Sequence, residues 1–156
     1  MTAPAITLRA ITPDNLWDVC RLRVTDEQSE FVESNAGSIA QAYVEPSFRP
    51  YAIYADDEPV GFTMYGKEES TGRWWVVRLM VDQRYQRKGY GRSAMEALLP
   101  MMIEQVGMDE IVTSYVPGNG VAASLYRSLG FVDSGEMDED EHLMRLSIPD
   151  WNSRQP

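Results

Sequence analysis

The sequence predicts one α+β domain, and three observations carry that reading. Three strand-like segments follow one another directly between residues 51 and 81. Beyond them, apolar spacing switches to the helical period twice, with a further strand between the two helices. The 156 residues contain no repeat, low-complexity tract or linker, so residues 1–156 are expected to form a single unit large enough to bury its own core.

Each element has a local cause. "AITLRAIT" alternates apolar and polar residues and stops before Pro13, as a first strand does. "TPDNLWDVCRLRV" follows as a helix, with Thr12 expected as N-cap and Pro13 at the first helical position. The chain is then polar from Thr25 to Ser47, with a helix expected over Ser38 to Val44 that Pro46 stops. "YAIYA", "DDE" and "PVGFTMYG" read as strand, tight turn and strand. "RWWVVRLMV" is apolar on both faces and is therefore placed centrally. After the turn "YQRKGYG", Met95, Leu98, Leu99, Met102, Ile103 and Val106 form a helical stripe, which Pro100 is expected to kink or divide. "EIVTSYV" is a strand, "GVAASLYRSLG" a helix closed by Gly130, and "FVDSGEM" with "HLMRLSI" a last strand pair.

Composition narrows the function classes. Lys and Arg number 14 against 24 Asp and Glu, a net charge of −10. This balance argues against nucleic acid and anionic membranes as partners and permits a cationic ligand. No stretch approaches the roughly 20 apolar residues of a membrane span. "MTAPAITLRAIT" has neither a basic start nor an apolar run, so no signal peptide is expected. The single cysteine, Cys20, sits among Leu16, Trp17, Val19 and Leu22 and reads as a buried structural thiol. One cysteine forms no intrachain disulfide, which suits a reducing, cytoplasmic compartment.

The turn at residues 85–92 is the chemical centre of the sequence. Gly89 and Gly91 clear side chains from the start of a helix, whose first N–H groups lack intrahelical partners. Those donors, with Arg87, Lys88 and Arg92 around them, suit a diphosphate. No Walker pattern is present, and no G-x-G-x-x-G follows a first strand. Gln86-x-x-Gly89-x-Gly91 after "RLMV" resembles the acetyl-CoA pyrophosphate loop of the GNAT superfamily of N-acetyltransferases. "NGVAASLYRSLGF" matches a second motif of that family, with Asn119, Ala122, Leu125, Tyr126, Gly130 and Phe131 in place. The family often has Gly where this chain has Arg87.

The resemblance implies a GNAT fold, a central mixed and mostly antiparallel sheet flanked by helices, with its central strands splayed. It implies acetyl-CoA as co-substrate and no metal. Main-chain groups of Leu79, Met80 and Val81 would bind the pantetheine arm. The phosphate cradle would comprise Gln86, Arg87, Lys88, Gly89, Tyr90, Gly91 and Arg92, and Asn119, Ala122 and Tyr126 would line the opposite wall. Relatives attack directly in a ternary complex, which suits a Cys20 without an activating partner. An amine of pKa about 10.4 needs roughly 4 to 5 kcal/mol to expose its lone pair at pH 7, and the leaving thiolate only about 2 kcal/mol for reprotonation. Tyr126 matches the family position for the general acid. Glu33 is the candidate base, working through water, or else a substrate-binding carboxylate.

The segment from Glu30 to Gly66, with "RWWVVRLMVDQRYQRKGYG" and "GEMDEDEHLMRL", further resembles bacterial spermine/spermidine (diamine) acetyltransferases. A polyamine needs spaced carboxylates and apolar or aromatic walls. Glu27, Glu30, Glu33 and Glu136 are candidates for the first, Tyr43 and Trp75 for the second. The run Asp138 to Glu141 reads equally as a solvated turn. Trp74 and Trp75 face opposite sides of their strand, so one belongs to the core. Arg78, a cation on the central strand, is assigned to a buried ion pair. The expected partner is thus a small-molecule amine, and relatives of this kind imply a homodimer. Acetylation of another small amine (an antibiotic or amino acid) and a non-catalytic acetyl-CoA sensor are the alternatives.

Overall fold

The computed structural model describes residues 2–107 and 109–156, and the side chains of residues 105 and 106 fall outside it. The Val106 end of the expected stripe therefore lies outside the described residues.

Seven strands form one sheet in the order β1-β2-β3-β4-β5-β7-β6. They are β1 (Ile6–Ala10), β2 (Arg49–Ala55), β3 (Glu58–Lys67), β4 (Trp74–Val81), β5 (Glu110–Tyr115), β6 (Val132–Asp138) and β7 (Glu141–Ser147). All neighbours are antiparallel except β4 and β5, which run parallel. The sheet is the mixed, mostly antiparallel one expected from the sequence, with β4 at its centre.

Alternation along the strands divides the core between the two faces of the sheet. Phe62 and Met64 of β3 pack with Val19 and Leu22 beneath α1 (Leu16–Arg21) and α2 (Asn35–Val44). Tyr65 and Val76 face the other way, against Met95, Leu98, Leu99 and Met102 of α3 (Tyr90–Val106) and Tyr126 and Leu129 from α4 (Gly120–Ser128) and its end. Fully burying a side chain such as Val19 or Leu22 contributes about 1.5 to 3 kcal/mol.

Several boundaries differ from the sequence reading. Helix α1 begins at Leu16, because Thr12 to Asn15 form a turn instead. Asn15 reaches backwards: its Oδ1 accepts from Thr12 N at 2.8 Å and its amide donates to Ala10 O at 3.0 Å. Helix α2 starts at Asn35, earlier than expected, because Ser34 Oγ accepts from Gly37 N at 3.0 Å and caps it. Helix α3 runs through Pro100 without ending, with Leu98, Leu99 and Met102 wholly buried on either side of it. The missing N–H of Pro100 is outweighed by that packing. A final helix, α5 (Ile148–Arg154), was not anticipated; Ser147 caps it and it buries Ile148 and Trp151. Cys20 is only half-buried and lies on a cleft wall. No helix among the described residues is long and apolar enough to cross a membrane.

Candidate active site

The site begins where the sheet fails to close. Strands β4 and β5 share one ladder pair, Trp75 with Val112, and then diverge. On its other edge β4 continues pairing with β3 as far as Val81 with Gly61. The main chain of Leu79, Met80 and Val81 therefore has strand neighbours on one side and an open wedge on the other. Buried N–H and C=O groups normally find partners, so such an edge suits an amide-rich ligand arm.

Two cavities meet at this wedge. One, of about 520 Å3, is walled by Leu79, Met80 and Val81, the turn from Tyr85 to Arg92, and Asn119, Ala122 and Leu125 of the α4 region. The other, of about 800 Å3, is walled by Cys20, Leu22 to Val24, Asp26 and Ser29 to Asn35, by Val77 to Met80, and by Thr113 to Val116 and Glu141. Tyr126, Asn119 and Ala122 line both.

The first cavity suits a diphosphate. Gly89, in the left-handed region at φ 80°, is the N-cap of α3 and carries no side chain to cap it. The first N–H groups of the helix are thus left for a ligand. By contrast, Asn119 Oδ1 caps α4 itself, accepting from Ala122 N at 3.3 Å. Arg87 also adopts a positive φ, 65°, which explains the frequent glycine there in the resembled family and costs a non-glycine residue about 1 to 2 kcal/mol. Arg92 lines the slot, held by Glu96 at 2.9 Å and by Ser128 at 2.6 Å. Lys88 is exposed and outside the lining. The residues present fit the coenzyme: an open helix start, cations beside it, and an unpaired strand edge leading inward.

The turn is locked from beneath through Gln28 and Asp82, neither of which stood out in the sequence. Gln86 and Gln28 exchange amide hydrogen bonds at 2.8 and 3.2 Å, and Gln86 also donates to Val81 O at 2.9 Å. Asp82, 2% exposed, accepts from Arg23 N, Arg84 N and Arg84 Nε, each at 2.9 Å. Burial works to raise the Asp82 pKa, but the hydrogen bonds from Arg84 and Arg23 outweigh it and hold the carboxyl below its ordinary value. An aspartate directly after a strand and before a turn was the available signal; the Gln28 partnership had none.

Tyr126 is 7% exposed, with its ring 5.6 Å from that of Phe131. Burial raises its pKa, against a lowering hydrogen bond from Thr113, so the phenol stays protonated at neutral pH. In that state it can donate a hydrogen bond to a developing thiolate where the cavities join.

The candidate substrate residues divide. Glu30 and Glu33 line the larger cavity. Glu33 Oε1 accepts from Ser34 N at 2.9 Å and Ser34 Oγ at 3.2 Å, and a Cβ on Gly37 would lie only 2.7 Å from it. Gly37 thus leaves room for the carboxylate at the start of α2. Four candidates lie elsewhere: Glu27 is exposed and off the cavity wall, and Tyr43 is 91% exposed. Glu136 pairs with Arg73 at 3.1 Å. Trp75 donates to Glu68 Oε2 at 3.3 Å and lines a neighbouring groove, while Trp74 packs on the core. Of the acidic run, Glu141 reaches the larger cavity, and it borders the groove together with Asp138. Arg78 has no ion pair among the described residues, contrary to expectation.

Comparison with known proteins agrees with this geometry. The family model described as Acetyltransferase (GNAT) family matches residues 16–131. A spermine/spermidine N(1)-acetyltransferase of Bacillus subtilis (strain 168) is 31% identical over 140 residues, 86% of this chain and 92% of the relative. Among solved structures, an aminoglycoside acetyltransferase in complex with coenzyme A superposes with a TM-score of 0.80 at 17% identity, covering 97% of this chain and 100% of that one. A spermidine N-acetyltransferase from Vibrio cholerae, in complex with CoA and spermine, gives 0.75 at 17% identity, over 94% and 98% of the chains. The two structural likenesses establish the fold.

Proposed function

Because the chain belongs to the acetyltransferase (GNAT) family, we propose that it transfers acetyl from acetyl-CoA to a primary amine of a polyamine such as spermine or spermidine. The observation that carries this reading is the meeting of the two cavities at Leu79, Met80 and Tyr126, one bounded by an open helix start and the other by carboxylates.

In this reading residues 1–156 act as one catalytic domain. Gln86, Arg87, Gly89, Tyr90, Gly91 and Arg92 hold the diphosphate, with Lys88 adding charge from outside. The β4 edge from Leu79 to Val81 orients the pantetheine arm against Asn119 and Ala122. Tyr126 donates to the departing sulfur. Glu30 and Glu33 bind the amine, Glu33 being also the candidate base through water. Glu27, Glu136, Tyr43 and Trp75 drop out of the first contact set because they lie off the cavity wall. A cytoplasmic location and a homodimer complete the reading, the dimer supported by the exposed Val132 and Met137 on the edge strand β6.

Thiol release with a panel of amines tests the proposal. Spermine and spermidine should exceed monoamines of equal length in kcat/KM. Salt should raise KM for the polyamines more, since screening acts on the extra charges. Glu33→Gln raising KM alone would mark a binding residue, whereas loss of turnover at saturating amine would mark the base. Equal efficiency of polyamines and matched monoamines at low salt would reject the polyamine substrate. No thiol release with any amine would reject the enzyme reading.

A further inference from the structure

Arg78 lies on β4, immediately before Leu79 and Met80, and lines both the larger cavity and the adjoining groove. Among the described residues no carboxylate stands within 4.0 Å of its guanidinium. Nη1 donates to Val77 O at 2.9 Å and Nη2 to Gln41 Oε1 at 3.2 Å. Nε is buried and has no partner. Two of the five N–H groups are thus spent on the protein, and a third is shut away without a partner. What Arg78 gives the cleft is a fixed positive charge, because arginine remains protonated in proteins.

That cation sits within an acidic surround. Glu33, before α2, and Glu141, on β7, act on it electrostatically. Arg23, Asp26 and Glu30 complete the charged wall of the larger cavity. Across the groove stand Glu45 after α2, Lys67 to Glu69 at the end of β3, and Asp138 on β6. Carboxylates dominate both recesses, and Arg78 is the cation on the wall they share.

We infer that Arg78 acts through its field to make the cleft accept the reacting end of the amine as neutral –NH2 in preference to ammonium, leaving the distal charges to Glu30, Glu33 and Glu141. The inference rests on the amine-acetyltransferase reading above. The ammonium first yields one proton to solvent. Its freed lone pair forms the C–N bond to the thioester carbonyl carbon, and the C–S bond breaks with its electron pair on sulfur. The second N–H proton completes the thiol, so each turnover releases one proton overall. One like charge placed about 6 Å away in an effective dielectric of about 20 favours the neutral form by up to roughly 100-fold relative to a cleft without it, against the opposing pull of the carboxylates. This addresses the larger of the two proton costs in the reaction.

The test is kcat against pH at saturating acetyl-CoA and spermidine, which reports ionisations in the bound complex. In the wild-type enzyme the limb rising with pH reports loss of the ammonium proton within the cleft. In Arg78→Gln it should move up by about one to two units, so that activity falls roughly 10- to 100-fold at pH 7 and recovers at high pH. Arg78→Lys, which keeps the charge and loses the contacts to Val77 and Gln41, should keep the wild-type limb. A fluorinated amine already neutral at pH 7 should be acetylated equally by wild type and Arg78→Gln, which also establishes that the variant is folded. An unshifted limb in Arg78→Gln overturns the inference. Loss of activity in both variants at every pH assigns Arg78 a purely structural role and overturns it too. Failure of the wild type to acetylate any amine removes the parent reading instead.

Discussion

If the helix start at Gly89 holds the coenzyme diphosphate, the two glycines there have separable jobs. A Cβ at Gly91 would meet Leu125 Cδ2 and Val81 Cγ2 at 3.7 Å each, ordinary contact distance, and its φ is not positive. Gly91→Ala should therefore keep or raise stability, by up to about 0.5 kcal/mol, since alanine is the better helix former. Gly89→Ala meets no neighbour but must adopt φ 80°, which costs about 1 to 2 kcal/mol. Its melting temperature should fall by about 2 to 8 °C for a domain of this size. Gly91→Glu instead leaves the fold intact and sets a carboxylate against the diphosphate. At about 5 Å and an effective dielectric near 20, each phosphate charge then costs about 3 kcal/mol, so acetyl-CoA affinity should drop at least 100-fold. Calorimetric titration with acetyl-CoA, paired with thermal unfolding, reads both quantities. Unchanged affinity in Gly91→Glu would refute the diphosphate site. A larger melting-temperature loss in Gly91→Ala than in Gly89→Ala would refute the division of roles.

Two other substitutions probe the frame. Tyr126→Phe keeps the ring on Phe131 and removes the hydroxyl; kcat should fall about 10²-fold, the lower end for general acid catalysis, with acetyl-CoA affinity unchanged. Full turnover, with chemistry shown to limit the rate, would sink that role. Asp82→Asn replaces the buried carboxylate that accepts from Arg23 and Arg84 with an amide and should cost about 1 to 3 kcal/mol at neutral pH by denaturant unfolding. Because the Asp82 pKa is lower folded than unfolded, its contribution is present above about pH 3.9 and is lost as pH falls through the folded value. The variant should therefore lose less stability on acidification than the wild type; a parallel acid dependence would count against the assignment.

Local pattern decided much of this molecule. Short apolar runs punctuated by turn residues encode the three neighbouring strands of residues 51–81, and the 3.6-residue stripes from Met95 and around Leu125 encode two packed helices, because burial rewards apolar faces. The glycine-rich turn and the "NGVAASLYRSLGF" motif placed the candidate coenzyme contacts, since both are contiguous and each works through backbone at a helix start. Contacts between segments far apart in sequence leave no such trace. The Gln28–Gln86 amide pair and the bond from Arg23 N to Asp82 join segments 58 and 59 residues apart, and they exist only because the chain from Arg23 to Glu30 is folded over the end of β4. The same packing turns Glu30, Glu33 and Glu141 into the cleft and Glu27 and Glu136 away from it. A carboxylate's composition and spacing are identical in either case. Its direction, like the unpaired charge of Arg78, is set by which surfaces the sheet and helices bury against each other, and that is decided only when they meet.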